Sequence, residues 1–165
     1  MSLYEDAEAL IESDDAEEVQ EGLDRLRRHA EAHSGDAEAW FQYGGGLDSS
    51  GDEAAAIVAY QRTFDLGMER LDSADQPRIY VQAGSTLRNL GRFDEARALL
   101  EEGRRRFPEV RVLAAFLALV EVSAGRDRRA VDLLFEVILG EGGDDDSVRW
   151  YPRSLANYAG EIRQP

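Results

Sequence analysis

The sequence predicts an all-α fold, a right-handed superhelix of antiparallel helix pairs closed by a C-terminal capping helix. Three observations carry that expectation. First, the chain matches itself. Laying "AWFQYGGGLDSSGDEAAAIVAYQRTFDLG" (39–67) over "IYVQAGSTLRNLGRFDEARALLEEG" (79–103) with a shift of 40 residues pairs Trp40 with Tyr80, Gly44 with Gly84, Leu47 with Leu87, Gly51 with Gly91, Ala56 with Ala96 and Tyr60 with Leu100. Second, a further shift of 34 reaches "LAAFLALVEVSAGRDRRAVDLLFEVILG", where Ala118 replaces the glycine while Gly125, Ala130 and Leu134 keep their places. Third, each copy holds two apolar stretches stepping by three and four, the period of a half-buried helix, with a glycine between them.

Taken in order, the elements read as follows. "SLYEDAEALIES" and "AEEVQEGLDRLRRHAEAHSG" form a degenerate first pair (1–36), with Gly22 and Leu26 in the places of Ala56 and Tyr60. Repeats follow at 37–70, 77–110 and 111–142, and six extra residues fit within "MERLDSADQP". In the second copy Asp75 and Pro77 signal a helix start, Gly91 tolerates the left-handed backbone that ends the first helix, and Pro108 ends the second. Gly84 and Ala96 are expected to be small so that two helix backbones approach closely, and Trp40 is expected in the core. "GEGGDDDS" (140–147) reads as a flexible acidic loop. A capping helix over 148–163 then carries Trp150, Leu155 and Tyr158, because a stacked array otherwise leaves its last apolar face in water. The sum is nine helices in one domain, 1–165.

The pattern of a large aromatic, a small residue or glycine, a large apolar residue, then Gly, Ala and a bulky residue with a terminal proline resembles the tetratricopeptide repeat (TPR), and 34 is that repeat's period. The resemblance covers about 37–142. "GSTLRNLGR" followed by "EEGRRRFPEVRVLAAFLAL" is more narrowly similar to a small bacterial subfamily. Glu121 stands where the pattern expects a bulky apolar residue. The resemblance implies a solenoid that binds proteins and does not catalyse reactions. Relatives that clamp chaperone C-terminal carboxylates use lysine, asparagine and arginine at positions matching Phe41, Gly45, Gln82, Val112 and Phe116, so that clamp is absent here.

Composition narrows the function classes. The net charge is −15, from 34 acidic and 19 basic residues, every basic one arginine. Residues 1–60 hold 16 acids and 3 arginines, so the N-terminal third is net −13. Such a surface repels phosphate backbones, and no nucleic-acid partner is expected. There is no cysteine for disulfides or thiolate sites. The run "VLAAFLALV" (112–120) is far short of the roughly 20 residues that span a bilayer. With no basic leader in "MSLYEDAEAL", the expectation is a soluble, cytoplasmic protein without a membrane partner. His29 and His33 lie four apart, but Glu31 is two residues on, off the face a zinc-protease motif requires. "YGGGLD" lacks the preceding strand and following lysine of a phosphate loop, and "DDD" lacks the alternating ligands of a calcium loop. "RRRF" (104–107) is a basic cluster solvating a helix C-terminus. Neither metal nor other cofactor is expected, and no nucleophile stands with a base and an orienting group, so no enzyme is expected.

A protein or peptide partner is therefore expected on the concave surface lined by the first helix of each pair. Residues off the packing stripe mark it: Phe41, Gln42 and Asp48 from the first copy, Arg78, Val81, Gln82, Ser85, Arg88 and Asn89 from the second, Phe116 and Leu119 from the third. Arginine there suits a carboxylate. The rival expectation is a homodimer, with the apolar face of 112–122 exposing Phe116 and Leu119 for self-association.

Overall fold

A computed structural model of the chain describes residues 2–139 and 150–151. Eight α-helices and no strand occur among them: α1 (Leu3–Ile11), α2 (Ala16–Ala32), α3 (Ala37–Ser49), α4 (Glu53–Leu66), α5 (Asp75–Asn89), α6 (Phe93–Arg106), α7 (Val112–Ser123) and α8 (Asp127–Leu139). Consecutive helices pack as pairs. The odd-numbered helices also touch one another in sequence, while α2, α4 and α6 each lean on the odd helix that follows. The odd helices therefore form an inner row and the even ones an outer row. The expected capping helix over 148–163 lies, apart from 150 and 151, outside the described residues, as does the loop 140–147.

Local chemistry fixes the helix ends. Ser2 and Glu5 make a reciprocal capping box at α1, and Asp15, Asp36 and Asp52 each accept a backbone N–H at the start of α2, α3 and α4. Between paired helices the same turn recurs. Gly51, Gly91 and Gly125 have φ of 86°, 73° and 72°. The residue after each donates its N–H back into the helix just ended: Asp52 to Leu47 at 2.9 Å, Arg92 to Leu87 at 2.9 Å, Arg126 to Glu121 at 2.8 Å. This is the Schellman closure, which needs a left-handed residue that only glycine adopts cheaply. It repeats at the 40- and 34-residue shifts read from the sequence.

Packing within a pair follows a different rule from the one the sequence suggested. Gly84 does not bring two backbones together. It makes room for a side chain: a Cβ there would lie 2.6 Å from Cγ of Leu100, itself fully buried. Gly44 does the same for the Tyr60 ring, which a Cβ would approach to 2.7 Å. The large residue of the outer helix drops into the hollow left by the inner helix's glycine, sixteen residues earlier. Backbone approach does occur in the first pair, where a Cβ on Gly22 would meet the Ala7 carbonyl oxygen at 2.9 Å. Trp40 is half-buried at the rim of the core, its indole N–H donating to the Ser34 carbonyl at 3.2 Å.

The linker between α4 and α5 does more than span a gap. It forms one 3-10 turn (Met68–Arg70), and Met68 and Leu71 are buried in the main core. Glu121, irregular in the sequence pattern, is fully buried. Its carboxylate accepts from Arg97 Nε of α6 at 2.7 Å and from Arg126, with Arg129 Nε at 3.4 Å. A buried carboxylate held by guanidinium groups replaces an apolar contact here.

The seating rule separates two neighbouring kinds of glycine. Gly84→Ala should lower stability by about 1–3 kcal/mol, because Leu100 has nowhere to move. Gly45→Ala, whose new methyl would meet nothing nearer than Gln82 Oε1 at 4.0 Å, should raise it by about 1 kcal/mol through helix propensity. Urea unfolding of both variants checks the pair. Equal effects would refute the seating of Leu100.

Candidate functional site

The inner row is more tightly packed than a single apolar stripe requires. On α5 both the stripe residues Tyr80, Ala83, Gly84 and Leu87 and the off-stripe residues Val81 and Ser85 are buried. The cause is lateral packing of α5 against α7, which covers a second face. Four residues expected to face a ligand are therefore buried: Phe41, Val81, Ser85 and Phe116, at 3 %, 0 %, 8 % and 2 % exposure. The expected exposed apolar face of α7 is likewise absent, since Phe116 is buried and Leu119 half-buried. These residues form the floor of the inner surface.

The remaining residues are accessible in different degrees. Gln42, Arg78 and Gln82 line a cavity of about 280 Å³ between α1, α3 and α5. Gln42 donates to Glu38 Oε1 at 2.6 Å, and Arg78 pairs with Asp75 at 2.7 Å. Gln82 Oε1 accepts from the Tyr60 hydroxyl at 3.2 Å, so the outer helix reaches through the Gly44 hollow to orient an inner-surface amide. Asn89 is exposed at the end of α5. Arg88 is half-buried and tied to α7, its Nε donating to Ser123 Oγ at 2.7 Å and lying 3.3 Å from the Leu119 carbonyl. It contributes to the scaffold as well as to the surface.

Two contributors escaped the sequence reading. The first is α1: Tyr4, Glu5, Glu8, Ile11 and Glu12 form one wall of the cavity. Glu5, Glu8 and Glu12 step by three and four, and that periodicity was the available signal. The wall makes this end of the groove acidic. The second is Tyr151, whose ring meets Phe116 edge-on at 5.4 Å and packs on the main core. Its phenol faces Arg78 and Gln82, and burial pushes its pKa up while Arg78 opposes the rise. Trp150, expected on the capping helix, is 41 % exposed, while the adjacent Tyr151 packs inward. A separate cavity of about 310 Å³ opens on the outer row between α4 and α6, beside Phe64 and Leu99.

Asp48 is the most perturbed carboxyl of the inner row. It accepts from the Thr86 hydroxyl at 2.8 Å, linking α3 to α5. Burial raises its pKa from an ordinary 3.8 to about 6, against the lowering effect of the Thr86 bond. The folded state therefore favours the neutral acid. The stabilisation that results is fully present at pH values below the ordinary carboxylate range and is lost as pH rises through about 6. Asp48→Asn should thus be more stable than the parent at pH 7.5, by at most about 3 kcal/mol, and equal to it near pH 4. Thermal melts across that range check the sign. A variant less stable at pH 7.5 would show that the ionised form is the favoured one.

Among the described residues no group of three or more histidine, cysteine, aspartate or glutamate side chains is placed to hold a metal, and no helix is long and apolar enough to cross a membrane. The His29 and His33 rings lie tilted at 38° with centroids 4.3 Å apart, and Tyr4 meets His29 edge-on. Of the 104–107 cluster, Arg104 pairs with Glu136 and Arg106 with Glu102.

The fold is that of known solenoids. A structure of MamA protein superposes with a TM-score of 0.66 at 15% identity, over 99% of this chain and 76% of that one. The MamA RS-1 ArsTM double mutant gives 0.66 at 15% identity, over 97% and 90%. No curated protein matches the sequence. The profile of the tetratrico peptide repeat matches residues 37–162, and together with the recurring helix pairs it shows that the chain belongs to the tetratricopeptide repeat family, whose members are in general non-catalytic scaffolds for protein–protein interaction.

Proposed function

We propose that this protein is a non-catalytic scaffold that binds a peptide or protein segment on its inner surface. The observation that carries the reading is the cavity between α1, α3 and α5. Its walls combine aromatic and aliphatic side chains with Gln42, Gln82, Arg78 and the glutamates of α1, all on rigid helices. Such a mixture buries apolar surface of a segment while its polar groups find partners. Asp48, Arg88, Asn89 and Leu119 extend the same face, and Phe41, Val81, Ser85 and Phe116 support it from below. The acidic wall favours a partner carrying positive charge. Displayed random peptides selected on the full chain should lose at least about tenfold in affinity for Gln82→Leu and Glu8→Lys variants of unchanged helical content. Selected peptides indifferent to both changes would place binding elsewhere.

A second reading, assembly into homodimers, rests on α8. Val131, Leu134 and Phe135 are 51 %, 44 % and 54 % exposed, a stripe at steps of three and one on the last described helix. Exposed apolar side chains in one patch mark interfaces. Light scattering should then show a dimer that Phe135→Glu converts to a monomer. A monomeric parent chain at high concentration would remove this reading.

A further inference from the structure

Two apolar features of the outer row are left uncovered, one concave and one convex. The concave one is a trough between α4 and α6. Two cavities, of about 310 and 360 Å³, share Gln61, Phe64, Leu99 and Glu102, and so run into one another along the two helices. Ile57 and Phe64 of α4 and Leu99 of α6 wall the trough, all half-buried, and Val58 beside it on α4 is 67 % exposed. The next gap along the row is closed differently. Between α6 and α8, Arg129 reaches Glu101 at 2.6 Å and Arg104 pairs with Glu136, so ion pairs bridge one helix to the other. Among the described residues no ion pair joins α4 to α6. The arginines at the two ends of the trough, Arg92 and Arg106, pair instead with Glu95 and Glu102 of their own helix. The convex feature is the stripe of Val131, Leu134 and Phe135 on α8.

We propose that α8 of a second copy seats this stripe in the α4–α6 trough. The proposal rests on the homodimer reading above and names the surface that receives α8. Shape is the first argument. Positions 131, 134 and 135 share one helix face, and a helix presenting apolar anchors at that spacing fills a groove between two others. Charge is the second. Arg128 continues the stripe by one turn and is exposed, and Glu69, exposed, lines the trough at its Met68 end. Neither forms an ion pair within its own chain among the described residues. With Arg128 directed to Glu69 the stripe runs along the trough and the two charges meet at its rim, which fixes the direction of α8. Symmetry is the third. Stripe and trough lie on the same outer row, so two copies related by a two-fold axis make the contact twice, each α8 in the other copy's trough.

The chain has no cysteine, so single introduced cysteines report the contact directly. Ala98 on the α6 wall and Val131 on α8 are exposed, so Ala98→Cys and Val131→Cys leave the core untouched. Sedimentation velocity should show the full parent chain as a dimer. Mixed and mildly oxidised, the two variants should give a disulfide-linked heterodimer on a non-reducing gel, while neither alone links to itself. Adding Phe135→Glu to the Val131→Cys chain should cut the mixed product at least about tenfold. Glu69→Arg in the Ala98→Cys chain should also lower it, and Arg128→Glu in the other chain should restore it. A dimeric parent with no mixed product, or a Val131→Cys chain that links to itself, would overturn the proposal and leave an α8 interface standing. A parent chain that stays monomeric at high concentration would overturn both.

Discussion

A large side chain on one helix seated over a missing one on its partner is the contact on which the rest of this structure depends. Tyr60 over Gly44 and Leu100 over Gly84 bring each inner helix against its outer mate, and no other residue type provides the hollow. Glycine weakens a helix by about 1 kcal/mol relative to alanine, so the arrangement spends helix propensity on burial of a whole leucine or tyrosine, worth about 1.5–3 kcal/mol. The balance favours the seat. It also sets the angle of the pair, and through the recurrent glycine turn the path of the chain into the next pair.

The last described pair, α7 and α8, shows what happens when the hollow is filled. Ala118 carries a methyl where Gly44 and Gly84 have none, and its counterpart Leu134 stays 44 % exposed. Between α6, α7 and α8 an electrostatic cluster around Glu121 supplements the apolar contact. A fully buried carboxylate is tolerable because three guanidinium groups surround it, and charge-assisted hydrogen bonds offset the loss of water. Such a cluster is directional, so it sets the position of α8 more narrowly than leucine contacts would. The apolar stripe of Val131, Leu134 and Phe135 is the other side of the same exchange.

The inner surface follows from how the odd helices meet. Where α5 packs along α7, side chains between them are buried and only the helix ends and the α1–α3 side remain open. The groove is therefore not a uniform trough. It is an acidic cavity at the N-terminal end, and beside it Tyr151 packs edge-on against Phe116. The Thr86–Asp48 bond and the Arg88 contacts to α7 cross-link three inner helices behind this surface.

The sequence by itself determined the helix pairs, the glycine turns at 51, 91 and 125 and the places of the small residues, because those depend on period and on backbone conformations that each residue type carries with it. Even there it misassigned the purpose of Gly84, since a hollow for a side chain and a close backbone approach leave the same glycine. Which off-stripe residues are covered was decided only by tertiary structure. Val81, Ser85 and Phe116 repeat at ligand-facing positions in any single helix pair, and it is the neighbouring inner helices and the arrival of Tyr151 that bury or contact them. The acidic wall of α1 is visible as a spacing of glutamates, but its place opposite Arg78 and Gln82 is set by how the first pair stacks on the second. Periodicity records the face a residue occupies on its own helix; only the packed array fixes what lies across from that face.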